Sequence, residues 1–422
     1  MKHGYSSLRC GLIGEHLGHS FSVMIHELLG DYSFVLRELA PSELEAFVKS
    51  DELDAYCVTI PYKKAVMPFL DVISPEAQAI GAVNVVVNGK DGKRYGYNTD
   101  YFGFDYMVSR SGVSVEGKKA VVLGNGGASA TACALLRNKG AKEVAIIDKD
   151  DNTPEGIAPH RDAEIIVNAT PVGMYPRNMV SPISLDDFPS CQAVLDIVYN
   201  PARTALMLDA ESRGIAAVGG LSMLVAQAAK GFEYFTGDTR EEGIIGSVLA
   251  KITARSSNLI LVGMPGCGKS SVGAIIAESL GREFLDADDE FTKMHSITPA
   301  DAIRTLGEEK FREMENETVA SLGKLSGKVI ATGGGVVTKE RNYPLLHQNG
   351  VIVFLERDIA LLPTNDRPLS QGNSLEKLYA SRIDAYRRFA DLTVESTGIK
   401  EKTAELMISA FLEFVNKEVS DL

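Results

Sequence analysis

The sequence predicts an α/β protein built on parallel sheets, with two nucleotide-binding folds in one chain. Three observations carry that expectation. In AVVLGNGGASATACALLRNKG (120–140), four apolar residues precede a glycine turn, and a small-residue helix follows and closes at Gly140. NLILVGMPGCGKSSVGAIIAESLG (258–281) repeats that rhythm and closes at Gly281. The 422 residues suffice for roughly two or three domains, and no internal repeat, heptad or low-complexity tract interrupts them.

The net charge is −13. A sequence-independent grip on nucleic acid needs a basic face, so no nucleic-acid partner is expected. Small anionic substrates remain compatible, because local cations can line a cleft. Five cysteines, none in a C-x-x-C pair, fit a reducing cytosol and speak against a disulfide framework or a zinc site. MKHGYSSLRCGLIG lacks the long apolar run of a signal peptide, and no stretch reaches the roughly 20 apolar residues that span a bilayer. The expected location is cytoplasmic, with no membrane partner.

From the N-terminus, about 100 residues alternate strand-like runs (LRCGLIG, AYCVTIP) with helical ones (PSELEAFVKS), as in a separate α/β lobe. That lobe carries polar residues its pattern does not explain. Ser20 and Ser22 point the same way if the chain is extended there. Thr59 ends a strand, and Lys63 follows a proline turn. Asn84 sits inside the apolar run GAVNVVV, where an amide is either buried and paired or bound to ligand. Thr99 and Asp100 stand at the entrance to the first nucleotide fold. Singly, these residues read as turns, caps or exposed charges; as a set around one cleft they do not.

The first glycine turn, LGNGGASA, is G-x-G-G-x-S, a weak signal alone. About 20 residues on, AIIDKDDN (145–152) ends a strand where the adenine ribose of a dinucleotide lies. Asp148 offers a carboxylate for the 2′-OH of NAD, and Lys149 a cation for the 2′-phosphate of NADP. EIIVNATPVGM (164–174) and AVLDIVYNP (193–201) follow as further strand–turn units, and DDNTPEGIAPHRDA leaves room for only a truncated helix between. LSMLVAQAAKGFEYFTG (221–237) is a long amphipathic helix that packs back on the first lobe. The polar TARSSN (253–258) reads as the linker. The expected domains are therefore residues 1–253, with a substrate lobe of about 1–103 plus 221–253 and a Rossmann-like lobe of about 104–220, then a linker at 254–257 and a P-loop domain with a parallel sheet at 258–422.

GMPGCGKS (263–270) satisfies G-x-x-x-x-G-K-[ST]. Glycines let backbone N–H groups curl around phosphates, Lys269 reaches the β- and γ-phosphates, and the Ser270 hydroxyl ligates Mg²⁺. FLDADDEF puts Asp286 and Asp288 two apart at a strand end, on one side of it, one to hold Mg²⁺ and one to meet an acceptor hydroxyl. In GEEKFREME, Arg312 either binds substrate or forms a surface ion pair with Glu315. ATGGGVV invites close approach of a ligand to backbone, and NDRPL and SRIDAY supply further arginines.

With these strings in order, residues 258–422 resemble shikimate kinase over nearly their whole length. The resemblance implies that Asp288, Arg312, Gly334 and Arg382 bind shikimate, the arginines taking its carboxylate, while Asp288 acts on the hydroxyl to be phosphorylated. It implies that Gly266, Cys267, Gly268, Lys269, Ser270 and Ser271 hold ATP, that Ser270 and Asp286 hold Mg²⁺, and that Arg367 on a lid covers the phosphates. The lid ALLPTNDRPLS is short for the family and has Leu362 or Pro363 where some relatives have another arginine.

Residues 8–250 resemble shikimate dehydrogenase through G-L-I-G-x-x-L-x-H-S-x-S, V-T-x-P-x-K, G-A-V-N, N-T-D and G-L-S-M-L-V-A-Q. The resemblance implies that Ser20 and Ser22 hold the substrate carboxylate, with Tyr199 near it. Thr59, Asn84 and Gln227 take the hydroxyls, and Lys63 and Asp100 are the catalytic pair. Gly124, Asn125, Gly126, Gly127, Ala128, Asp148, Lys149, Thr170, Ile197 and Gly220 would line the coenzyme. The chain departs from the family in three places: Val23 replaces a proline, Cys57 replaces an asparagine, and Asp148-Lys149-Asp150 replaces an arginine-bearing strand end. Lysine lacks the planar fork of arginine, and flanking aspartates oppose a phosphate.

Together the two resemblances imply a bifunctional enzyme using NADP, ATP and Mg²⁺. It would convert 3-dehydroshikimate to shikimate and then to shikimate 3-phosphate, towards chorismate and the aromatic amino acids. NAD, quinate as an alternative substrate, and a first unit that binds shikimate without catalysis remain open. Oligomeric state and passage of shikimate between sites are not written in the sequence.

Overall fold

The computed structural model describes residues 4–18, 21–362 and 375–420. Ser20 and Arg367 therefore lie outside the described residues. The chain forms two compact units: residues through Asn200 with Leu206–Ile252, and Pro201–Ala205 with residues from Thr253 onward. No described helix is long and apolar enough to cross a membrane.

The first unit holds two sheets. One comprises β1 (Arg9–Gly14), β2 (Ser33–Glu38), β3 (Ala55–Val58), β4 (Val72–Ile73), β5 (Val85–Asn88) and β6 (Arg94–Tyr97), in the order β2-β1-β3-β5-β6-β4. β1 pairs parallel with β2 and β3, and β5 runs antiparallel between β3 and β6. The other comprises β7 (Lys119–Leu123), β8 (Glu143–Ile147), β9 (Ile165–Asn168), β10 (Ala193–Asp196) and β11 (Ala216–Gly219), all parallel, in the order β11-β10-β9-β7-β8. Read from β8 this is 2-1-3-4-5, a doubly wound sheet whose order reverses between β7 and β9. β7, β9 and β10 are buried along their whole length, as strands covered on both faces must be.

Helix Leu221–Thr236 packs on helix Asp100–Arg110 and on the first sheet. The two helices approach so closely at Gly103 that a Cβ there would meet the Met223 carbonyl at 2.6 Å. Between β8 and β9 the helix shrinks to Pro154–Ile157 and a 3-10 turn, as the proline- and glycine-rich segment predicts. Helix Ile244–Ser256 takes in most of the polar stretch 253–258, so those residues form the last helical turn rather than an irregular linker. Arg282 caps that turn, donating Nη1 to the Ser257 carbonyl at 2.9 Å.

The second unit holds one parallel sheet: β12 (Asn258–Val262), β13 (Phe284–Asp286), β14 (Val329–Ala331), β15 (Gly350–Glu356) and β16 (Leu392–Glu395), in the order β13-β14-β12-β15-β16. β12 is central and fully buried, and it feeds the loop Gly263–Gly268 into helix Lys269–Leu280. A continuous apolar core runs from Leu259 to Val415 around it.

Candidate active sites

In the first unit, Lys63 and Asp100 meet. Lys63 lies on the short helix Tyr62–Ala65 that follows Pro61, and Asp100 is the first residue of its helix. Lys63 Nζ donates to Asp100 Oδ2 at 2.6 Å. Asn84 Nδ2 donates to Asp100 Oδ1 at 2.8 Å and to Thr99 Oγ1 at 3.1 Å. Asn84 Oδ1 accepts the Thr99 N–H at 2.8 Å. Asp100 is 4% exposed and Asn84 5%, so the amide in the apolar run is buried and paired. Asp100 does not cap its own helix; its backbone N–H goes to Asn98 Oδ1 at 3.0 Å, leaving the carboxylate to Lys63 and Asn84. A buried carboxylate with both oxygens engaged fixes the lysine head, whose side chain keeps 27% exposure.

Ser22 opens helix Ser22–Leu29 and is buried. The extended geometry expected there is absent at Ser22, because SVMIHELL has helical periodicity from that residue on. Tyr199, whose hydroxyl burial pushes up in pKa, places its ring 5.6 Å from that of Phe21, next to Ser22. Thr59 follows β3 and donates its N–H to the Ile13 carbonyl. Gln227 lies where the helix carrying it meets Gly103, its Cβ 3.1 Å from the position of a Cβ there. Cys57, at the position where the resemblance expects asparagine, is a thiol whose pKa burial pushes up to about 12.

The expected coenzyme residues lie at the carboxyl ends of the second sheet. Gly124 has φ 98°, and its side faces Thr170, whose methyl would be 2.9 Å from a Cβ. Around Gly126 and Gly127, which open helix Gly127–Asn138 with Ala128, added Cβ atoms would meet nothing within 4 Å. That open, amide-lined turn at a helix N-terminus fits a pyrophosphate. A Cβ on Gly220 would fall 2.0 Å from the Ile197 carbonyl, so the turns after β10 and β11 abut. Asp148 Oδ1 accepts the Asp150 N–H at 2.9 Å and the Asp151 N–H at 3.3 Å. Lys149 is exposed and makes no ion pair among the described residues.

In the second unit, Gly266 (φ 84°) and Gly268 (φ 109°) turn the loop so that its N–H groups can face phosphates. Lys269 Nζ donates to the carbonyls of Gly263 (2.9 Å) and Met264 (3.1 Å). Ser270 Oγ donates to Asp286 Oδ2 at 2.6 Å. A hydroxyl beside a carboxylate is a hard oxygen pair that suits Mg²⁺. Asp286 and Asp288 do not share one side of a strand. Asp286 ends β13 and caps helix Ala287–His295 through the Asp288 N–H, and Asp288 lies in the first helical turn.

The turn Gly333–Gly335 gathers the remaining residues. Asp288 Oδ1 lies 3.3 Å from where a Gly333 Cβ would be, and Arg382 Nη1 donates to the Gly334 carbonyl at 3.1 Å. The Arg312 guanidinium occupies the place of a Gly335 Cβ. Arg312 does pair with Glu315, at 2.8 Å, but this is no surface pair: the side chains are 4% and 10% exposed. Burial raises the Glu315 pKa against the lowering effect of Arg312. Arg312 Nε is buried with no hydrogen-bond partner among the described residues. Two residues that the sequence reading gave no part in a site stand out here: Glu315, expected only as a surface ion-pair partner, and Tyr386, whose hydroxyl donates to the same Gly334 carbonyl. Their spacing from Arg312 and Arg382 was visible, but burial was not.

A family model for the shikimate dehydrogenase substrate binding domain matches residues 12–86, and one for shikimate kinase matches residues 265–414. The shikimate dehydrogenase (NADP(+)) of Clostridium perfringens strain SM101 is 38% identical over 251 residues, covering 54% of this chain and 92% of that protein. Among solved structures, a chorismate mutase/shikimate 5-dehydrogenase fusion protein from Clostridium acetobutylicum is 33% identical with a TM-score of 0.55, covering 58% of this chain and 96% of that one. Shikimate 5-dehydrogenase from Listeria monocytogenes, solved with shikimate and NAD, is 28% identical with a TM-score of 0.51, covering 59% of this chain and 99% of that one.

Proposed function

This chain belongs to the shikimate dehydrogenase family and carries a shikimate kinase domain behind it, and on that footing we propose a division of labour between its units. The first reduces 3-dehydroshikimate to shikimate with NADPH. The second transfers the γ-phosphoryl group of ATP to shikimate, giving shikimate 3-phosphate. The chain is thus a bifunctional oxidoreductase and kinase of the shikimate pathway. The Lys63–Asp100 pair carries the first half of the proposal. The second half rests on the buried Arg312 guanidinium, whose Nη atoms lie against the glycine turn that Arg382 and Asp288 also reach.

When bound, the nicotinamide supplies hydride to the ring ketone. Lys63 hands a proton to the ketone oxygen as it becomes an alkoxide, and Asp100 keeps the ammonium aimed and accepts a hydrogen bond from the product hydroxyl. Asn84, through both Asp100 and Thr99, prevents that carboxylate from turning away. In the second unit Asp288 holds the acceptor hydroxyl and takes its proton, while Arg312 and Arg382 grip the substrate carboxylate. Lys269 offsets phosphate charge, and Ser270 and Asp286 would hold Mg²⁺.

NADP is favoured because the Asp148 carboxylate is partly spent on its own turn while Lys149 is exposed and forms no ion pair among the described residues. NAD is the second reading, supported by the carboxylates of Asp148, Asp150 and Asp151 crowding Lys149, which disfavour a 2′-phosphate. The deciding experiment mixes the protein with shikimate and either NADP⁺ or NAD⁺, without ATP, and follows nicotinamide reduction. Preference for NADP⁺ supports the proposal; preference for NAD⁺ supports the second reading and makes quinate the next substrate to try. No reduction by folded protein that still phosphorylates shikimate would leave the first unit as a binding module.

A further inference from the structure

We propose that Asn168 is a positioning residue that sets the coenzyme-facing turn and the Tyr199 turn together, through Asp196. This rests on the dehydrogenase reading above. Asn168 and Asp196 are the last residues of the adjacent parallel strands β9 and β10 and stand in register; both are 0% exposed. Asn168 Nδ2 donates to Asp196 Oδ1 at 2.9 Å and to the Val172 carbonyl at 3.2 Å. Its Oδ1 accepts the Thr170 N–H at 3.1 Å and the Thr170 hydroxyl at 2.7 Å. Two donors and two acceptor positions are all that a carboxamide has, and each is filled.

The bonds run to two different turns. Those to Thr170 and Val172 fix the turn after β9, which abuts the glycine turn at Gly124. The bond to Asp196 continues to the turn after β10, because the same Asp196 Oδ1 accepts the Val198 N–H at 3.0 Å. The Ile197 N–H also donates to the Asn168 carbonyl at 3.0 Å. Ile197 abuts Gly220 on the coenzyme side, and Tyr199, two residues on, reaches Phe21 in the substrate lobe. A side chain needed only to fill space at this buried strand end would be apolar, as Ile165, Ile166 and Val167 before it are. A carboxylate in place of the amide would set oxygen against oxygen at Asp196 and at Val172. Only the amide joins both turns.

The test is steady-state dehydrogenation by the full chain, with folding checked by far-UV circular dichroism. Asn168→Ala is expected to raise KM for NADP⁺ and for shikimate together, each about tenfold, as the loss of buried bonds implies. A merely structural role would lower the active fraction, and so kcat, without moving either KM. Thr170→Val removes the hydroxyl bond to Asn168, and with it the one from the Val172 N–H in the same turn, without opening a cavity, so it answers even where Asn168→Ala fails to fold. Although Thr170 sits on the coenzyme side, this variant is expected to raise the shikimate KM about threefold. An unchanged shikimate KM in Thr170→Val, or an Asn168→Ala enzyme in which only one KM or neither moves, overturns the proposal alone. A parent chain that reduces no nicotinamide overturns the underlying reading and this proposal with it.

Discussion

Gly335→Ala tests the acceptor site of the second unit by a single methyl group. Gly335 has φ −104° and ψ 0°, a negative-φ bridge conformation open to alanine, so the backbone gives no strong reason for an effect. The space does. A Cβ at this position would stand 2.2 Å from Arg312 Nη2, 2.4 Å from Nη1 and 2.6 Å from Cζ, where ordinary contact begins at 3.4 Å. The guanidinium must retreat by about 1 Å, and it cannot do so cheaply, because Nη1 is tied to Glu315 and Nη2 to Glu308. Retreat would break the reach that the proposed function gives Arg312 towards the substrate carboxylate. A hydrogen bond to a charged group contributes about 1.5–3 kcal/mol, so kcat/KM for shikimate should fall roughly 10- to 100-fold. A coupled assay of ADP release, varying shikimate and ATP separately, reads the effect. KM for ATP should hold, and shikimate-dependent nicotinamide reduction by the same protein should be untouched. A Gly335→Ala kinase with parental kcat/KM for shikimate would refute the placing of Arg312 in the acceptor site.

Lys63→Ala should lower dehydrogenation about 100-fold or more and spare phosphorylation, while Lys269→Ala should do the reverse; a folded variant that lost both activities would refute separate catalytic machinery. Lys149→Ala should raise KM for NADP⁺ roughly 5- to 10-fold and leave KM for NAD⁺ near parental, measured with shikimate saturating. His26 gives a pH prediction. Its ring is fully buried, stacked on Phe34 with centroids 3.8 Å apart, with Nδ1 2.6 Å from the Tyr32 hydroxyl, and burial lowers its pKa from 6.5 to about 3. The unfolded chain therefore binds a proton that the folded one refuses. Stability from this group is whole above pH 6.5 and is lost as pH falls through the window down to about 3. Between pH 6.5 and 5 the loss should be about 2 kcal/mol, read as urea midpoints for loss of dehydrogenase activity in parent and His26→Gln. Equal acid sensitivity of the two would refute it.

Much of this was legible because the chemistry is local in sequence. A P-loop announces itself within eight residues, and the strand, turn and helix around Gly124 within about twenty. Lys63, Asn84 and Asp100 were legible as odd polar residues, and the resemblance paired Lys63 with Asp100, but the bonds of Asn84 to Asp100 and Thr99 were not legible, since they need β3, β5 and a helix start to converge. The misreadings have one cause: a period counted over too few residues. Asp286 and Asp288 looked like one face of a strand, but the strand stops at Asp286 because that residue caps a helix. Ser22 likewise belongs to a helix. The Arg312–Glu315 spacing predicts a pair but not its burial, which the glycine turn from a distant strand imposes. Asn168 and Asp196 carried no signal at all, since a polar residue at a strand end reads as the start of a loop.

Lys269 is described above with its ammonium resting on two carbonyls of its own loop. The consequence concerns what a nucleotide gains by arriving. A lysine with two of its three N–H groups on the Gly263 and Met264 carbonyls meets phosphate partly by an exchange of partners, carbonyl bonds surrendered for phosphate ones. Such an exchange adds less to ground-state affinity than an unpartnered ammonium would, because two carbonyl bonds are given up for the phosphate ones. Its advantage grows only as negative charge gathers on the transferring group, because a carbonyl dipole cannot follow that increase and a phosphoryl oxygen can. On the proposed kinase reading, Lys269 would therefore give a larger share of its help to the transferring group than to ATP at rest.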